Sequence, residues 1–114
     1  MRPSVSETLD HIRIEHDGAA SACAPETITI KACANATCSS PYLGGVTVNL
    51  SNVGTWTTNP VTFSGGQTSV TLAASGSVTL GGTATSPTAT NATICYNTTA
   101  GTNNCNLNFA PDSF

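Results

Sequence analysis

Residues 26–33, Glu-Thr-Ile-Thr-Ile-Lys-Ala-Cys, decide the fold class. Ile28, Ile30 and Ala32 alternate with Thr27, Thr29 and Lys31, and a period of two sends one set to a core and the other to solvent in an extended chain. The β-branched residues favour that conformation. Upstream, residues 10–16 (Asp-His-Ile-Arg-Ile-Glu-His) put Ile12 and Ile14 on one face and His11, Arg13 and Glu15 on the other. Residues 46–50 repeat the pattern with Val46, Val48 and Leu50. Shorter runs follow at 56–58, 61–63, 67–73, 77–80, 92–96 and 105–109, the last with Leu107 and Phe109 on one side, and Gly, Pro, Asn or Ser breaks each run. The spacing predicts an all-β sandwich of seven to nine antiparallel strands, about ten residues apart, with no helix longer than a turn. Residues 80–93, rich in Thr, Ala and Gly, fit either a polar edge strand or a loop.

A chain of 114 residues is long enough for a single core and too short for two. The reading is one domain over residues 9–114, preceded by a linker at 1–8 that carries no hydrophobic period. Charged residues make up 8% and the net charge is −3, which argues against nucleic acid or anionic lipid as a partner. Thr, Ser and Asn supply the polarity instead, at 20, 12 and 10 residues. Such a neutral, hydroxyl-rich surface is short of the Lys and Glu guards that keep sheet edges apart, so self-association through edges is expected. With 39% hydrophobic residues the chain is not a disordered one, and no run approaches a membrane span, so no membrane insertion is expected. The opening residues hold no basic segment followed by an apolar one, so export would make Met1 the start of an excised piece.

Five cysteines, at 23, 33, 38, 95 and 105, point to an oxidising compartment outside the cytosol. None forms Cys-x-x-Cys and no flanking His completes a tetrahedron, so no metal is expected. Many pairings are open. A turn brings Cys33 near Cys38, and Cys95 and Cys105 flank a turn-rich string, which favours these two short disulfides by proximity. Chain entropy favours a long closure instead, such as Cys23 to Cys95. The short pairs are the expectation, leaving Cys23 free, buried or paired elsewhere.

Other candidate chemistry is weak. His11 and His16 differ in parity, and both read as surface imidazoles. Glu7, Asp10, Glu15 and Asp17 crowd the same segment, yet without an Asp-rich calcium loop they read as a solvated strand face. There is no Gly-x-Ser-x-Gly elbow and no His beyond position 16, so no catalytic residue is expected. The Gly pairs at 44, 65 and 81 read as turns, not phosphate cradles. Lys31 has solvent-facing parity, which argues against a buried Lys-to-Asn isopeptide bond. Trp56 and Tyr42 are the candidate ligand contacts, offering a ring face to a glycan, although a lone Trp in a small sandwich also suits the core. Asn35, Asn49, Asn91 and Asn97 stand in glycosylation sequons.

The order of motifs His-x-Arg-Ile-Glu-His-Asp-Gly, Cys-Ala-Pro-Glu-x-Ile-Thr-Ile-Lys-Ala-Cys-Ala, Val-Thr-Val-Asn-Leu, the single Trp56, Ser-Gly-Gly-Gln-Thr-Ser-Val-Thr-Leu and a closing cysteine pair before Asn-Phe-Ala-Pro-Asp-Ser-Phe resembles the C-terminal Ig-like region of MshQ-type MSHA pilus biogenesis proteins. The turn and strand after residue 33 also look like bacterial invasin-type Ig repeats. The resemblance implies an Ig-like β-sandwich at the surface of a Gram-negative bacterium, exported through the periplasm and linked to a type IV pilus. The implied role is a noncatalytic spacer without cofactor, with other domains of a parent surface protein or pilus components as partners. An adhesin-type module that recognises a glycan or a protein is the alternative.

Overall fold

A computed structural model describes residues 8–110 of the chain. The linker expected at 1–8 and the closing Pro-Asp-Ser-Phe therefore lie almost wholly outside the described residues. All regular structure among them is β: β1 (His11–His16), β2 (Ala19–Ser21), β3 (Glu26–Cys33), β4 (Val46–Leu50), β5 (Thr55–Trp56), β6 (Val61–Phe63), β7 (Gln67–Ala73), β8 (Gly76–Thr79), β9 (Gly82–Ser86), β10 (Ile94–Asn97), β11 (Thr102–Asn103) and β12 (Asn106–Ala110). Every run with a clear alternation is a strand. The expected seven to nine become twelve, because β2, β9 and β11 are too short or too polar to carry a hydrophobic period. Residues 80–93 divide accordingly into a strand, β9, and the loop that follows it.

The strands form a six-stranded sheet in the order β11-β10-β1-β3-β7-β5 and two three-stranded sheets, β2-β12-β8 and β6-β4-β9. Backbone groups of successive residues in an extended chain point to opposite edges. The Leu80 N–H donates to Cys105 at 2.8 Å and the Gly81 carbonyl accepts from Ser51 at 2.9 Å. β8 and β9 are thus one strand line with β12 on one edge and β4 on the other, and the two small sheets make one layer. Pairing is not wholly antiparallel as expected: β1–β10 and β12–β2 are parallel. Side-chain alternation reports faces and is silent on strand direction.

One core holds the layers together. Ile12, Ile14, Ile28, Ile30, Val70 and Leu72 from the large sheet join Val46, Val48, Phe63, Leu107 and Phe109 from the other layer in a single buried cluster. Ile12, Ile14, Ile28, Ile30, Leu72, Leu107 and Phe109 are fully enclosed, each contributing about 1.5–3 kcal/mol of burial. The ladder of β4 is continued by a side chain: Asn59 Oδ1 accepts from the Leu50 N–H at 2.8 Å and Asn59 Nδ2 donates to the Leu50 carbonyl at 3.0 Å. The outermost strands β11, β5, β2 and β6 are two or three residues long. Such short edges blunt the edge-to-edge association that low surface charge invites.

Candidate functional site

The few charged residues are not scattered. Among the described residues Asp10, Arg13, Glu15, Asp17, Glu26 and Lys31 are the charged ones, and all lie on or beside β1 and β3. The antiparallel register sets Arg13 against Lys31 and His11 against Cys33, on the face opposite the buried isoleucines. Glu15 Oε2 accepts from Arg13 Nε at 2.9 Å and from Lys31 Nζ at 3.2 Å. The Arg13 guanidinium carbon sits 4.2 Å from the centre of the Tyr96 ring, which the parallel β10 brings alongside. These side chains are partly covered, Arg13 at 23% and Glu15 at 16% exposed. Each ion pair contributes about 0.2–1 kcal/mol and the ring contact a similar amount. Two cations on one carboxylate leave a local positive charge on an acidic protein. Lys31 keeps the solvent-side placement that its parity predicts.

Both histidines are buried, at 2% for His11 and 3% for His16, which corrects the surface reading. His16 shares the parity of Ile12 and Ile14, so an even-numbered position on β1 carries it inward. Its Nε2 donates to the Asn104 carbonyl at 2.6 Å and its Nδ1 accepts from the Gly18 N–H at 3.0 Å. The ring thereby ties the end of β1 to the segment between β11 and β12. His11 has the opposite parity and is enclosed by a different cause. The turn after β3 folds back over it, and the disulfide Cys33–Cys38 closes that turn with a Cα–Cα distance of 4.8 Å. His11 Nδ1 donates to Asp10 Oδ1 at 2.7 Å. That hydrogen bond, helped by the Asn91 side chain, holds the Asp10 carboxyl below its ordinary value against a smaller opposing effect of burial.

Farther along the same segment, burial raises the Glu26 carboxyl above its ordinary value, and the neighbouring Asp17 carboxylate adds to the effect. The carboxylate cluster read from the sequence is thus split. Asp10 serves His11, Glu15 serves the two cations, Asp17 meets Glu26, and Glu7 lies outside the described residues.

The other sequence candidates separate in the same way. Cys95 and Cys105 are joined across 10 positions, with a Cα–Cα distance of 4.9 Å, while Cys23 is exposed and unbridged. Trp56 is 9% exposed, in the core, with Nε1 donating to the Ser51 carbonyl at 2.9 Å. That is the placement a lone Trp in a small sandwich suits, and it withdraws the ring as an exposed stacking platform. Tyr42 is half-buried against the same cluster, with its ring close over Gly44. The clefts among the described residues are shallow and include one of about 300 Å³ between β9 and residues 88–93, one of about 270 Å³ beside Cys95 and Cys105, and one of about 240 Å³ lined by Lys31, Cys38, Pro41 and Gln67. The aromatic partner of the charged group, Tyr96, could not be found from the sequence, because its placement depends on the parallel pairing of β10.

No curated protein and no solved structure matches the chain. One family model does, over residues 9–88. These residues run from the start of the core through β9 and include the Asp10–His11 pair, the Arg13–Glu15–Lys31 group and the first disulfide. The chain belongs to that family, a domain of unknown function designated DUF8613.

Proposed function

We propose that the chain is a noncatalytic, Ig-like structural module of an exported, type IV pilus-associated surface protein, a spacer that bears tension between neighbouring domains or pilus components. The observation that carries this reading is the direction of its first and last strands. β2, which continues the line of β1, runs parallel to β12 with Ala19, Ala20 and Ser21 opposite Asn108, Phe109 and Ala110. Force on the two chain ends therefore slides parallel strands past each other, and their hydrogen bonds must fail together. β1 is likewise parallel to β10, and the second disulfide ties β10 to the start of β12. Two layers of short strands over one core, with the first strand line passing from one layer to the other, support the Ig-like reading.

The two disulfides suit an oxidising, non-cytoplasmic compartment and support export. The motif order shared with MshQ-type proteins supports the pilus link. Single-molecule stretching through handles at both chain ends tests the role. The expected trace is one cooperative rupture, at a force well above that needed when the same domain is pulled so that β12 peels from β2 pair by pair. Gradual loss of strands at low force in the end-to-end geometry would remove the basis for a spacer.

One observation favours a second reading, a glycan- or protein-binding adhesin module: the concentration of charge and Tyr96 on a single sheet face. In that case Arg13→Ala and Tyr96→Ala abolish binding to a glycan array, while the melting temperature changes little.

A further inference from the structure

The geometry points to a redox-gated metal site: once the Cys33–Cys38 bond is reduced, the two thiolates and the His11 imidazole bind one zinc-class divalent ion, with water as the fourth ligand. A ring nitrogen of His11 and both sulfurs lie within 4.8 Å of one another. A tetrahedral zinc with sulfurs at about 2.3 Å holds them about 3.8 Å apart, so opening the disulfide by a small rotation of each side chain suffices. The sequence hides this grouping, because His11 reaches the cysteines only through the register that pairs it with Cys33.

Three further features support a ligand set. First, Nδ1 of His11 is held by Asp10 at 2.7 Å, leaving Nε2 to ligate. A carboxylate on the far nitrogen is the usual support of a metal-bound histidine, fixing its tautomer and raising its basicity. Second, the turn that presents Cys38 is held by hydrogen bonds as well as by the disulfide. The Cys38 N–H donates to the Asn35 carbonyl at 3.2 Å, and the Ala34 N–H to the Ser40 carbonyl at 2.8 Å. The Ser39 N–H donates to Asn35 Oδ1 at 3.0 Å and Asn35 Nδ2 to Ser39 Oγ at 2.7 Å. The two thiols therefore stay close after the bond breaks, and the chelate is preorganised. Third, the cleft of about 240 Å³ beside Cys38 gives a reductant and the ion a way in.

The chemistry balances with a dithiol as reductant. Its two sulfurs become a disulfide while two electrons and two protons pass to Cys33 and Cys38, and the incoming ion then displaces both thiol protons to solvent. The oxidised chain has no thiolate to offer at this place.

The test uses the full chain carrying Cys23→Ser, reduced with a phosphine, which leaves as its oxide and competes weakly for metal. Cobalt(II) is the spectroscopic probe and zinc the competitor. The expected result is thiolate-to-cobalt charge transfer with tetrahedral d–d bands in the reduced chain and neither in the oxidised chain. Cys33→Ser/Cys38→Ser should lose the signal, while Cys95→Ser/Cys105→Ser should keep it. Asp10→Asn should weaken binding by about 10- to 100-fold, and His11→Asn, which removes a ligand, by at least as much. X-ray absorption at the zinc edge of the same reduced chain, with no change at His11, gives an answer that does not depend on how the variants fold. Two sulfurs and an imidazole are expected. Sulfur-only coordination, or binding undiminished in Cys33→Ser/Cys38→Ser, overturns the proposal.

Discussion

Stretching the chain before and after reduction reads the covalent architecture as a length. The two disulfides join residues separated by 5 and by 10 positions, so together they withhold about 15 residue steps from an extending chain, or ~50 Å at full extension. The bridges themselves span 4.8 and 4.9 Å, which leaves about 40 Å as the expected gain in released contour length on reduction. The dimensions of the folded domain cancel in the difference, so the figure needs no assumption about where the handles sit. Optical tweezers or an atomic force microscope measure it on the same molecule type with and without a phosphine. Removing only one bridge divides the gain: Cys33→Ser/Cys38→Ser retains the larger share, which belongs to the longer loop. A gain near ~250 Å would instead mean that Cys23 is bridged to Cys95, the long closure that chain entropy favours. No gain at all would mean that the sulfurs are not bridged, and the argument for an oxidising compartment would go with it.

Other substitutions probe the packing and the titrating groups. His16→Ala deletes hydrogen bonds to Asn104 and Gly18 and opens a space in the core; the expected loss is about 3 kcal/mol by urea denaturation, and His16→Phe should not restore it because both backbone groups stay unpaired. Phe109→Ala, at a fully buried site that also anchors β12 to β2, should cost about 3–5 kcal/mol. For Glu26 the folded-state value is raised, so its ionised form destabilises the fold above that value, and the penalty disappears as pH falls through it. Glu26→Gln should therefore raise the melting temperature at neutral pH and change little near pH ~3.5. Asp10 has the opposite sign: its lowered value adds stability above the ordinary carboxylate range that is lost as pH falls through the folded value. Asp10→Asn should thus destabilise at pH ~7 and be nearly neutral at pH ~2.

How much was legible in the sequence follows from what each signal measures. Alternation over residues 26–33 and 46–50 reports which side chains enter a core, and those faces are the ones buried in β3 and β4. Alternation does not report partners, so the parallel neighbours of β1 and β12 could not be read. β2 and β11 have three and two residues, less than two full periods, and β9 turns only the small Ala84 inward. His16 is legible in part: its parity with Ile12 and Ile14 predicts burial, while the polarity of its ring points the other way. His11 was not legible, because its cover comes from the turn closed by Cys33 and Cys38, and only strand register sets it against Cys33. Trp56 belongs to a two-residue strand with no period to orient it, so only its being a lone, bulky ring spoke for the core. The charged group on the outer face was legible only as composition, since Glu15 is two positions from Arg13 but meets Lys31 through pairing.

The match to the family model stops at residue 88, and the folded unit does not. β2, well inside the matched region, finds its hydrogen-bonded neighbour in β12, and so does β8. A fragment cut where the sequence kinship ends would strip both of that neighbour and uncover the apolar floor on which Leu107 and Phe109 rest. In this chain the matched stretch is smaller than the unit of stability, and any expression boundary should be drawn from the second.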